Sequence, residues 1–108
     1  MQRILSYPEA IKEAIVQEMT QNPSVIVLGQ GVDDPKGILG TTKGLVDKFG
    51  SERVFDTPLA EDGMTGVAIG AALAGLRPIH VHIRMDFLLL AMNQLINMAA
   101  KMGYMFGG

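Results

Sequence analysis

The chain has 108 residues, nine of them basic and eleven acidic, for a formal net charge of −2. That length holds one domain with a modest core, and the balance lacks the basic excess that nucleic acid or an anionic membrane surface would attract. With no cysteine in the chain, disulfides, thiolate metal sites and thiol redox chemistry are excluded.

The N-terminal stretch carries Arg3, Glu9, Lys12 and Glu13. It therefore lacks the uninterrupted apolar run of a secretory signal, and a cytoplasmic protein is the default expectation. Ser6 and Glu9 stand at capping-box spacing with Pro8 in the first turn, and Ile11, Ala14, Ile15 and Met19 recur at helical intervals. The spacing predicts a helix over residues 7 to 20, ended by Asn22 and Pro23. Val25, Ile26, Val27 and Leu28 form a continuous apolar run that stops at Gly29, the pattern of a strand buried on both faces in a parallel sheet. Residues 29 to 40 read as a loop rich in Gly and Asp. Thr41 or Thr42 then caps a short helix through Phe49, closed by Gly50, and Arg53, Val54 and Phe55 make a brief strand.

Asp56, Thr57 and Pro58 turn the chain into a helix over residues 59 to 74, whose Gly63, Gly66, Ala68, Gly70, Ala71 and Ala74 permit close backbone approach. Residues 78 to 83 read as a third strand, and Asp86 opens a final helix to about Met102. One helix followed by three strand–helix units predicts an α/β fold, a partial doubly wound parallel sheet of three strands with helices on both faces. Two segments, 64 to 76 and 87 to 102, are strongly apolar, but a membrane span needs about 20 such residues. The first is too short and the second is interrupted by Asn93, Gln94 and Asn97, so no membrane partner is expected.

In open α/β sheets ligands sit beyond the carboxyl ends of the strands, which directs attention to the segments after residues 28, 55 and 83. Gly29-Gln30-Gly31 begins like a dinucleotide fingerprint, but Asp34 stands where the third Gly belongs and no helix follows at once, so a glycine loop is the better reading. Glu61 and Asp62 lie at the start of a helix, where the dipole favours carboxylates. They diverge by about 100° around the axis and do not form an acid–base pair on one substrate. The sharper reading gives Glu61 to a site and Asp62 to solvent. His80 and His82 share one strand face. With no third ligand near, they read as core or interface histidines, and no metal site is assigned. Arg84 and Asp86 read as a local ion pair or a helix cap, and the methionines from Met85 to Met105 as packing material.

Specific blocks then follow one another in order: Thr42-Lys43-Gly44-Leu45, Phe49-Gly50, residues 53 to 61 (RVFDTPLAE), residues 72 to 78 (ALAGLRP), Asp86-Phe87, Ala99-Ala100-Lys101 and Tyr104-Met105. Together they resemble the beta subunit of the pyruvate and branched-chain 2-oxo-acid dehydrogenase decarboxylase component, over nearly the whole chain. The resemblance implies the thiamine-diphosphate-binding fold, with residues 1 to 108 as the N-terminal part of a transketolase-like pyrimidine-binding domain. It implies thiamine diphosphate as cofactor, with Glu61 as the catalytic carboxylate that bonds the aminopyrimidine ring and promotes its imino tautomer. Leu59 and Ile83 become apolar walls, and Phe87 the ring that stacks on the pyrimidine. Magnesium and the diphosphate would be held by an alpha subunit or a diphosphate-binding domain, since this sequence has no Gly-Asp-Gly signature with a downstream Asn pair. A lipoyl carrier protein would receive the acyl group.

The sequence departs from the family at Gln30, where an acid is usual, at Val81, again in place of an acid, and at Arg84, where an apolar or small polar residue is common. It also stops before the family's later strands and active-site histidine, so the resemblance implies a fragment that is inactive alone. A transketolase-like or deoxyxylulose-phosphate-synthase-like enzyme is the close alternative, and a non-catalytic oligomerising α/β module the more distant one. Along the final helix, Asn93, Asn97 and Lys101 make only a narrow polar stripe. The apolar remainder needs cover on at least two faces, one from the sheet and one from a second copy, which predicts a homo-oligomer through the 86 to 102 helix.

Overall fold

The computed structural model describes residues 2–37 and 39–108; Ile38, within the glycine-rich loop, lies outside the described residues. Helix α1 spans Tyr7–Gln21, strand β1 Val25–Gly29, helix α2 Leu45–Phe49, strand β2 Val54–Asp56, helix α3 Glu61–Leu73 and strand β3 Arg77–Val81. The chain ends in a helical stretch built from α4, Met85–Leu88, a 3-10 turn at Leu89–Ala91, a π-helical segment at Asn93–Ala99 and α5, Ala100–Met105.

The sheet order is β2-β1-β3, with both pairings parallel. Side-chain alternation along a strand then divides the molecule in two. Val25 and Val27 of β1 pack with Val54, Ile79 and Val81 beneath Ile15 and Met19 of α1 and Leu45 of α2. Ile26 and Leu28 point the other way, to Ala68 and Met64 of α3 and to Phe55. All five residues of β1 are buried, as its continuous apolar run predicts, and helices cover both faces. The expected α/β doubly wound architecture is what the chain adopts.

The capping box of α1 is complete. The Ser6 side chain accepts from the Glu9 backbone N–H at 3.4 Å, and the Glu9 carboxylate accepts from the Ser6 backbone N–H at 2.8 Å. At the other end of α1, the Arg53 guanidinium donates to the carbonyls of Met19, Asn22 and Val25 at 2.8, 3.0 and 2.9 Å, tying the helix terminus to β1 from the start of β2. Gly29 has φ +144, and a Cβ there would lie 2.2 Å from the Val81 carbonyl oxygen. Only glycine lets β1 and β3 approach so closely where they end.

Several boundaries differ from the sequence expectation. Neither Thr41 nor Thr42 caps α2, which begins behind Gly44 in a left-handed conformation (φ 78) with no side-chain cap; Thr42 is buried and its carbonyl accepts from Leu45 N–H at 3.2 Å. Helix α3 starts at Glu61 instead of residue 59, since Ala60 (φ −157, ψ 83) is not helical and has no side-chain cap. Strand β3 stops at Val81, two residues short of Ile83, since its partner β1 ends opposite at Gly29. The final helix is not a regular α-helix, and it lies against α3 instead of the sheet. At Gly66 of α3 an added Cβ would meet the Gln94 side chain at 3.3 Å, so the small residues of α3 receive this chain's own last helical stretch there, not a second copy. The Asn93–Asn97–Lys101 stripe is present as a ladder, with Asn97 Nδ2 donating to Asn93 Oδ1 at 2.9 Å and Lys101 Nζ to Asn97 Oδ1 at 3.1 Å.

Candidate functional site

The carboxyl ends of the three strands bring together Gln30, Thr57 and His82, one from each post-strand segment, and α3 adds its first turn. These segments enclose a small cleft of about 10 Å3 lined by Gln30, Thr57, Pro58, Ala60, Glu61, Met64, His80 and His82. Parallel pairing produces this convergence, because every strand then delivers its exit loop to the same edge of the sheet.

Glu61 is the first residue of α3 and half-buried, while Asp62 beside it is exposed. A carboxylate at a helix N-terminus is favoured by the unpaired backbone N–H groups there, and among the described residues Glu61 enters no ion pair. Its carboxylate is therefore available at the cleft. The approach to α3 is held by Gln30, whose Nε2 donates to the carbonyls of Thr57 and Pro58, both at 2.9 Å. Asp56, at the end of β2, accepts from the Val32 backbone N–H at 3.2 Å and pins the opposite side of the β1 loop. Sequence reasoning treated Gln30 only as a missing acid. An acid at that position has no proton to donate to two carbonyls, so the neutral amide has its own structural use here.

His80 and His82 lie on the α3 side of β3, with ring centroids 4.3 Å apart. His80 Nδ1 is 3.3 Å from the Thr65 hydroxyl. Burial first, and the neighbouring His82 second, hold the His80 imidazole below its ordinary value. Both rings also border an apolar cavity of about 310 Å3, walled by Ala68, Ile69, Pro78, Leu88 and Leu95. No group of three metal-ligating side chains occurs among the described residues.

The other residues singled out from sequence stand apart from the Glu61 cleft. Leu59 is 74% exposed in the segment before α3, and Ile83 lies beyond β3 at 37% exposure. Phe87 sits in α4 at 39% exposure, with the Arg84 guanidinium carbon 5.5 Å from its ring centroid. Arg84 also pairs with Asp86 at 3.0 Å. None of Leu59, Ile83 and Phe87 lines the cleft.

The three parallel strands end at a helix-terminal carboxylate, and residues 4–107 match the family described as transketolase, pyrimidine binding domain. The chain belongs to that family. Among individual relatives, it is 50% identical to the beta subunit of acetoin:2,6-dichlorophenolindophenol oxidoreductase from Cupriavidus necator, over 118 aligned positions covering 100% of this chain and 35% of the relative. It is 46% identical to the mitochondrial pyruvate dehydrogenase E1 component subunit beta of Chaetomium thermophilum, over 93% of this chain and 26% of that protein. A third relative, pyruvate dehydrogenase E1 component subunit beta from Chaetosphaeridium globosum, is 48% identical over 93% of this chain and 31% of its own length. The chain thus spans about a quarter to a third of the relatives it matches. No helix among the described residues is long and apolar enough to cross a membrane.

Proposed function

We propose that this chain is the pyrimidine-reading part of a thiamine-diphosphate-dependent 2-oxo-acid dehydrogenase beta subunit. The observation that carries the reading is the half-buried Glu61 carboxylate at the N-terminus of α3, in the cleft where three parallel strands end, in a chain that matches the pyrimidine-binding family over residues 4–107. The Glu61 carboxylate has the chemistry for one end of the cofactor, while the cleft of about 10 Å3 admits no more than a water, so the ring would lie across its mouth. A carboxylate without an ion-pair partner at a narrow cleft is suited to share a proton with a ring nitrogen of an aminopyrimidine, and exclusion of water strengthens that bond. The sequence has no Gly-Asp-Gly signature with a downstream Asn pair, and we assign the diphosphate and magnesium to an alpha subunit or diphosphate-binding domain.

When bound, thiamine diphosphate supplies the carbon nucleophile and electron sink for decarboxylation. The chain's own part is to hold a proton at the Glu61 carboxylate, with Gln30 fixing the segment that delivers it. We place Leu59 and Ile83 as apolar cover and Phe87 as the stacking ring once partner and cofactor close the site; the Phe87 ring must then exchange the Arg84 guanidinium for the pyrimidine. The acyl group passes to a lipoyl carrier protein, and the alpha subunit and a second copy of this chain meet the apolar side formed by α3 and the last helical stretch. We place the assembly in the cytoplasm.

A second reading, that the whole protein acts on acetoin, is favoured by the name of the Cupriavidus necator relative, which matches 100% of this chain. Substrate assays on the assembled enzyme separate the two.

The test is Glu61→Gln in the assembled enzyme. Loss of a positioned proton-transfer group lowers turnover by about 10²- to 10⁴-fold, so a fall in kcat of at least about 100-fold is expected, and the isolated chain is expected to be inactive. Activity within threefold of the parent would overturn the assignment.

A further inference from the structure

A second opening among the described residues is much larger than the Glu61 cleft. It is an opening of about 550 Å3 between α1 and the start of α2, lined by Lys12, Glu13, Val16, Gln17, Lys43, Gly44, Leu45 and Lys48, none of which lines the Glu61 cleft. Its size falls within the range of small-molecule sites.

The charge around it is unusual for this chain. The protein as a whole carries −2, yet three of its nine basic residues face this one opening. Lys12, Lys43 and Lys48 form no ion pair among the described residues. Glu13 is the one carboxylate in the lining, and its Oε1 is taken by Arg3, outside the lining, at 2.7 Å, so three lysines share the opening with an acid already paired. Of the neighbouring acids, Glu9 is held by Ser6 in the capping box and also feels the Lys12 charge, and Asp47 lies on α2 outside the lining. Val16 and Leu45 give the cavity an apolar floor that belongs to the main core.

We propose that this cavity is a binding site for a small phosphorylated anion. Ammonium groups serve phosphate oxygens as compact point charges, and three lysines lining one opening with no ion pair among the described residues match the multiple charge of a phosphate or diphosphate. The half-buried Val16 accepts a compact apolar part of the same molecule. The site does not depend on the cofactor reading, since it shares no residue with the Glu61 cleft.

Inorganic phosphate and pyrophosphate are the probes, titrated calorimetrically into the full chain at fixed ionic strength made up with chloride. Saturable one-to-one binding is expected, tighter for pyrophosphate, and weakened at least tenfold in Lys12→Gln/Lys43→Gln/Lys48→Gln but unchanged in Lys36→Gln/Lys101→Gln. In the parent protein, pyrophosphate should shift the side-chain resonances of Lys12, Lys43 and Lys48 and leave those of Lys36 and Lys101 in place, a readout that stands even if the triple variant unfolds. Heats no larger than those of matched chloride, equal losses in both variants, or uniform shifts across all lysines would each overturn the proposal.

Discussion

The two faces of the sheet are unequally finished. Under α1 and α2 the chain buries Ile15, Met19, Val25, Val27, Val32, Leu45 and Val54 in one cluster. On the α3 side the corresponding cluster is Ile26, Leu28 and Ala68. There the chain leaves Val67, Leu89, Leu90 and Ile96 between 54% and 68% exposed. Within α1, by contrast, only Tyr7 at its first position and Ile11 are exposed among the large apolar residues. The first face is closed by the chain itself and supplies most of its stability. The second holds Glu61, both histidines and the apolar residues left exposed, and is the side to which the proposed function assigns cofactor and partners.

The largest effect expected is at the seam between the strands. Gly29→Val places a Cβ 2.2 Å from the Val81 carbonyl oxygen at φ +144, and strain of that kind, added to the lost β1–β3 approach, costs more than about 4 kcal/mol. Since a small domain has only about 5–15 kcal/mol in hand, the variant should lack a cooperative urea transition by circular dichroism. A normal transition would show that the strand ends are not so tightly joined.

Next comes a direct contrast of the faces. Leu45→Ala, at a residue 1% exposed, should cost about 2–5 kcal/mol through lost burial and the cavity left behind. Leu90→Ala, at a residue 61% exposed, should stay within about 0.5 kcal/mol in the isolated chain. Similar losses from the two in urea unfolding would erase the distinction between the faces.

A smaller effect comes from His80 on the open side. Its folded value is held below the ordinary one, chiefly by burial. The unfolded state therefore binds the proton more readily, so the stability His80 contributes is complete above the ordinary value of about 6.5 and is lost as pH falls through the lowered folded value. Urea midpoints measured at pH 7.5 and 5.5 should fall by less in His80→Asn than in the parent, and an identical drop would place the pH dependence elsewhere.

How much of this was legible in sequence followed the range of the interaction. The Ser6–Glu9 capping box, the buried run of β1 and the small residues of α3 are local patterns, and each produced its element. The parallel sheet followed from their order. Interactions between distant residues left no such mark. Arg53 reads as a strand residue, yet its guanidinium reaches Met19 and Val25, 34 and 28 positions away. Gln30 reads as a loop residue and reaches Thr57 and Pro58. Strand β3 ends where its partner ends, a limit set by pairing and invisible in its own sequence. The π-helical turn at Asn93–Ala99 has no glycine or proline between residues 88 and 102 to announce it. In the candidate site, helix placement made Glu61 legible from its own neighbourhood, while the family resemblance alone brought Leu59, Ile83 and Phe87 into consideration.

The central claim is that the α3 side is a face made to be covered by another chain, and sedimentation at micromolar concentration tests it most directly. A specific contact buries at least about 1,000 Å2 in total, and the exposed Leu89, Leu90 and Ile96 are its natural centre. The account predicts a dimer or larger species for the parent chain, and a monomer for Leu90→Lys/Ile96→Lys with its fold retained. A well-behaved monomeric parent, with its last helical stretch packed fully inside its own fold, would contradict it.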